Sequence, residues 1–113
     1  MRANAVEAFE AVGDARVIKV LLPLQEDPDN RVRANTLKAL WTLGHSGVES
    51  QLEEMLSHSE EMMRLSAVWA LGETDISARR SLLEEQLRQE PSERVRKKIE
   101  VVLRKILSQE GAS

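Results

Sequence analysis

Cysteine and tyrosine are absent from the 113 residues, phenylalanine occurs once, and aromatic residues together make up 3%. Without cysteine there is no disulfide, no thiol nucleophile and no thiolate metal site. The two histidines, His45 and His58, stand 13 positions apart and neither has a partner at helical ligand spacing; they read as turn or cap residues. No apolar run approaches the roughly 18 residues of a membrane span, and the first residues carry no signal-peptide core. A cytoplasmic address and no membrane contact are the expectation. Also missing are a glycine-rich phosphate loop, a His-Glu-x-x-His helix and a Gly-x-Ser-x-Gly elbow. Glu53-Glu54 and Glu84-Glu85 are adjacent helical residues and so point about 100° apart, which does not suit an acid and base pair. Neither an activity of its own nor a cofactor or metal is expected.

What remains is 42% apolar and 31% charged, the balance of one compact domain. With few aromatics the core must come from Leu, Val, Ala and Met, which favours helices. Sixteen basic and nineteen acidic groups leave a net charge of −3, so the molecule as a whole does not attract nucleic acid. The basic groups gather late: residues 91–113 hold six basic and three acidic side chains.

The chain repeats itself. Arg2, Arg33, Arg64 and Arg96 are spaced 31, 31 and 32 residues apart, each preceded by an apolar residue (Met1, Val32, Met63, Val95) and followed seven positions later by another (Phe9, Leu40, Leu71, Leu103). Small or apolar residues lie between, among them Ala67 and Ile99, then Ala39, Ala70 and Val102. Spacings of three and four place these on one stripe of a helix, A. After Gly13-Asp14 or Gly44-His45-Ser46-Gly47 comes a second apolar set: Val17, Val20, Leu21 and Leu24, then Val48, Leu52, Met55 and Leu56, then Leu82, Leu83 and Leu87. These predict a helix B. Junctions at Asp27-Pro28, His58-Ser59 and Glu90-Pro91 each start a new helix A, with proline suited to a first turn and Asp27 able to cap one. Helical pairs of this kind bury their stripes only by stacking. The expected fold is all-α: a right-handed α-solenoid of about three and a half repeats, at about 1–26, 27–57 and 58–89, closed by a helix over 90–108.

The run Asp27-Pro28-Asp29-Asn30-Arg31-Val32-Arg33 with Ala39-Leu40 and Gly44, and its next copy Arg64, Ala67, Ala70, Leu71 and Gly72, resembles HEAT repeats, most closely the short variety named after phycobilisome lyases. The likeness covers nearly the whole chain. The first repeat lacks the Asp-Pro turn and the last lacks helix B, so the chain reads equally as a piece of a longer array or as a short solenoid whose polar final helix is a cap. The resemblance implies a non-catalytic scaffold that binds a protein or peptide. An alternative it implies is a lyase-like or regulatory subunit of an enzyme complex, since phycobilisome lyases attach or detach bilins; HEAT-like DNA glycosylases supply a third, nucleic-acid-binding class, supported here only by the basic final helix. It further implies that the repeated arginine braces each junction, and that helix B lines the concave surface.

Two surfaces stand out. On helix B, Glu53 and Glu84 are equivalent positions, as are Glu54 and Glu85, and stacking would align them in acidic rows suited to a basic partner or to plain solvation. On helix A of the third repeat, Met62, Leu65 and Trp69 lie off the core stripe, with Trp69 at the position of Glu7 and Lys38. They read as an outer contact, a self-association surface, or packing between A helices. Trp41 is expected to pack at the turn from A to B.

Overall fold

A computed structural model describes residues 15–111, which are helical and joined by short turns, with no strand among them. Readings that rest on Met1, Arg2, Glu7, Phe9, Gly13 or Asp14 lie outside the described residues. After a helical stretch at 15–21 and a 3-10 turn at Leu22–Glu26 come α1 (Asn30–Thr42), α2 (Val48–Leu56), α3 (Glu61–Gly72), α4 (Arg79–Gln89) and α5 (Glu93–Gly111).

Local chemistry sets these boundaries. Asp29, in an extended conformation, accepts the amides of Arg31 and Val32 through its carboxylate at 2.9 and 3.0 Å, which starts α1 just past Pro28. Gly44 ends α1 at φ 78°: the His45 amide returns to the Leu40 carbonyl and the Gly44 amide to that of Trp41. This pairing needs a left-handed residue, which glycine adopts without a Cβ clash. Gly47, at φ 93°, then redirects the chain into α2. At the start of α5 the Ser92 hydroxyl accepts the Val95 amide at 3.3 Å.

The A helices α1, α3 and α5 pack side by side as one row, while α2 sits against α1 and α3, and α4 against α3 and α5. The result is a two-layered α-solenoid. Between the layers lies a continuous core: Leu37 and Leu40, Leu52 and Met55, Met63, Ala67 and Leu71, Leu83, then Ile99 and Ile106, each at most 1% exposed. At roughly 25 cal/mol per Å2, each large side chain so buried contributes about 2 kcal/mol to folding. The radius of gyration, 15.5 Å, exceeds the roughly 13 Å of a compact domain of this length, as an elongated stack requires.

The stripes predicted for α2 and α3 are buried as expected, whereas the preceding segment differs. Val17 and Val20, assigned to the core, are 44% and 68% exposed. Leu21 packs on the core as expected, but with Ile18 and Leu22, so the buried stripe runs one position along from Val17 and Val20. Pro23, which has no N–H to continue the α ladder, stands where the chain tightens into a 3-10 turn. Val32 is likewise 37% exposed, unlike its equivalents Met63 and Val95.

Candidate functional site

The repeated arginine is a brace where its surroundings permit. Arg64 donates from Nη1 to the carbonyls of His58 and Ser59, each at 3.0 Å, and from Nε and Nη2 to Glu90 at 2.9 and 3.0 Å. Glu90, with its side chain fully buried, also accepts the Ser92 amide and the Gln86 side-chain amide. Burial alone would push its carboxyl up, but the Arg64 guanidinium and these two donors outweigh it and hold the group below the usual carboxylate range. The same hydrogen bond to Glu90 raises Arg64 above an ordinary guanidinium.

The A row is fastened at both ends. Near the N-terminal ends, the Asn30 amide of α1 donates to the Ser66 hydroxyl of α3 at 2.6 Å. At the other end, Glu73 caps α3 and accepts from Lys105 of α5 at 3.2 Å and Lys38 of α1 at 3.3 Å. These two ammonium groups, Lys105 foremost, draw the Glu73 carboxyl below its ordinary range.

Between these fastenings the outer face of the row sinks into a groove of about 630 Å3. Its floor is α3, with Met62, Leu65, Ser66 and Trp69; α1 and α5 form the walls. Met62 is 40% exposed, and Leu65 and Trp69 are half-buried with their inner edges on the core. The Lys38 ammonium stands 5.4 Å above the Trp69 ring, a cation over a π face. Around the floor stand Arg31 from α1 and Arg94, Lys97 and Lys98 from α5, and among the described residues no carboxylate lines the groove.

The structure thus brings Met62, Leu65 and Trp69 together at one opening. Glu53, Glu54, Glu84 and Glu85 are instead exposed on α2 and α4, in the other layer. Glu84 pairs with Arg80 at 3.4 Å and Glu85 with Arg88 at 3.3 Å, so half of each acidic row is offset by a cation of its own helix. α2 and α4 pack against the flanking A helices far more than against one another. His58 acts as a cap, its Nδ1 accepting the Glu60 amide at 3.0 Å. Trp41 packs at the turn as expected, its indole N–H donating to Asp75 at 2.6 Å.

Sequence reasoning missed the basic rim, although a signal for it existed. Arg31, Met62 and Arg94 share one register in successive repeats, as do Ala34, Leu65 and Lys97, and Asn35, Ser66 and Lys98. Following the register of Trp69 backwards to Lys38 but not forwards into the final helix left the two halves of the groove unconnected. Among the described residues no group of three or more His, Cys, Asp or Glu side chains is placed to hold a metal ion, and no helix is long and apolar enough to cross a membrane.

A family model described as HEAT repeats matches residues 18–104. The chain belongs to the HEAT-repeat family. Neither a search of curated proteins nor one of solved structures finds a match. HEAT repeats are commonly scaffolds for protein interaction and are generally non-catalytic, and the stacked hairpins with one open, grooved face are the form such a scaffold takes.

Proposed function

We propose that this HEAT-repeat chain is a non-catalytic recognition module that holds a protein or peptide partner in the groove of its A helices. The observation that carries this reading is the apolar floor of Met62, Leu65 and Trp69 recessed between α1 and α5. An ordinary exposed helix face would carry charged or polar residues there, as Lys38 does at the position equivalent to Trp69. Aromatic and Met anchors in a partly desolvated recess with polar neighbours are the usual composition of a binding hot spot. Trp69 is half-buried on the core with the Lys38 ammonium over its ring, so the anchor is held in place before binding and loses little side-chain entropy.

Panning a random peptide library against the protein, with the Met62→Asp variant as counter-target, tests the reading. Met62 is exposed enough for an aspartate there to leave the fold intact, which a thermal melt checks. Peptides retained by the native chain and lost by the variant are the expected result. A library that yields no binder, or only binders indifferent to Met62→Asp, defeats it.

A further inference from the structure

The floor of the groove is apolar, but its rim has a single sign. Arg31, Arg94, Lys97 and Lys98 all line it. None of the four forms an ion pair with a carboxylate among the described residues, although Lys38 and Lys105, about two turns further along the same helices, are both paired with Glu73. This happens in a chain whose net charge is −3. The surplus of positive charge at the groove therefore runs against the molecule as a whole. It is also unfavourable for α5, where Arg94 stands three and four positions from Lys97 and Lys98, a like-charge spacing that weakens a helix. Carboxylates are available elsewhere in the sequence, yet among the described residues none lines this site. Four uncompensated cations around a hydrophobic recess are complementary to an anion that also carries apolar side chains.

Building on the recognition reading above, we propose that the groove binds an acidic amphipathic helix, with Leu- or Phe-like anchors seated on Met62, Leu65 and Trp69 and carboxylates facing the rim. A helical occupant follows from the host's surface. The walls are α-helices whose backbone groups are already paired, so no strand edge is on offer and a bound segment must satisfy its own amides and carbonyls. A bare polyanion such as a nucleic-acid backbone would meet the cations and leave the apolar floor wet. A second copy of this chain would have to present the glutamates of α2, since on α4 Glu84 and Glu85 are already paired with Arg80 and Arg88 and arginines outnumber glutamates three to two.

The test uses a fluorescein-labelled helical peptide of about 14 residues, with leucine at positions three and four apart and glutamate elsewhere, spanning about 20 Å. Its twin carries lysine in place of each glutamate, and a single-stranded oligonucleotide of equal charge is the third probe. Anisotropy titrations against the native chain, Met62→Asp, and the double variant Lys97→Glu with Lys98→Glu are read at low and moderate salt. The expected result is that the acidic peptide binds at least about ten-fold more tightly than its twin. Either variant weakens it about ten-fold or more, and raising salt from about 50 to 300 mM weakens it several-fold. Equal or tighter binding of the lysine twin overturns the proposal. So does an oligonucleotide that binds as tightly and is indifferent to Met62→Asp, or a dimer in sedimentation that Met62→Asp dissolves. If the acidic peptide fails while panned peptides still depend on Met62, the partner chemistry falls and the recognition reading stands. If the panned peptides fail as well, both fall.

Discussion

Arg64 and Arg33 occupy the same place in successive repeats and have opposite surroundings. Arg64 is paired with Glu90, whereas Arg33 is 8% exposed and its Nε has no hydrogen-bond partner. The residue that stands to Arg33 as Glu90 stands to Arg64, six positions before the next arginine, is His58. Both His58 and Glu90 cap the amide two residues on, so they share a local geometry as well as a register. A buried guanidinium nitrogen without an acceptor is costly. His58→Glu is therefore expected to stabilise the fold by about 1–2 kcal/mol in urea denaturation, and the gain should vanish when Arg33 is also changed to Met. For Glu90 the converse holds. Glu90→Gln deprives Arg64 of its buried, hydrogen-bonded carboxylate and should cost on the order of 3 kcal/mol at neutral pH. Its carboxyl is held below the ordinary range, so the unfolded chain binds its proton first as acid is added. The stability it contributes is whole above the unfolded value of about 4.3 and is lost as pH falls through the folded one. Melting temperatures followed from pH 7 to 3 should drop steeply in the native chain and less steeply in Glu90→Gln.

Gly72, at the end of α3, shows how closely two A helices approach. A Cβ placed there would meet a methyl of Val102 on α5 at 3.2 Å, tighter than ordinary contact. For Gly72→Ala the gain of a better helix former, about 1 kcal/mol, should roughly offset the squeeze, so little net change is expected in chemical denaturation. Gly72→Val adds two methyls to the same space and should cost about 1–3 kcal/mol by forcing α3 and α5 apart. Because Met62 and Leu65 lie on α3 and Lys97 and Lys98 on α5, the same variant should also weaken groove ligands more than its stability loss alone accounts for. Fastening by Glu73 and Asn30 at the two ends suggests why the walls keep their separation in the absence of a partner.

In the stack, α3 has neighbours on every inner side: α1, α2, α4 and α5 all pack on it. Repeat arrays gain stability from nearest-neighbour interfaces, so the centre opens last and the ends first. Amide hydrogen exchange should therefore be slowest in α3, at Ala67–Leu71, and fastest in the 3-10 turn at Leu22–Glu26, which contains no buried residue. Equal protection along the chain would contradict a stacked array. The distribution of charge also belongs to the whole stack: α2 carries three glutamates and no basic residue, α4 carries three arginines to two glutamates, and the late basic cluster joins the opposite layer through α5. A partner approaching from solution thus meets the strongest positive charge on the A layer.

Periodicity made the helices legible. The spacing of Leu52, Met55 and Leu56, or of Met63, Ala67, Ala70 and Leu71, depends on 3.6 residues per turn and on little else, and the Asp-Pro and glycine signals act within a few residues of where they stand. The same holds for the scaffold role of Arg64, whose junction carbonyls are its sequence neighbours. Local rules failed where a tertiary neighbour or an altered helix chose the outcome. In the first described helical stretch the stripe packed on the core is Ile18, Leu21 and Leu22, while Val17 and Val20 are exposed. The groove depends on how closely α1, α3 and α5 stack, a distance set by Gly72, Val102 and the ties through Asn30 and Glu73. Arg31 and Lys97 are far apart in the chain and meet across α3 only because three A helices pack in one row. A repeat states which residues occupy equivalent positions, but the separation and tilt of the packed helices decide which of those positions face one another across open space.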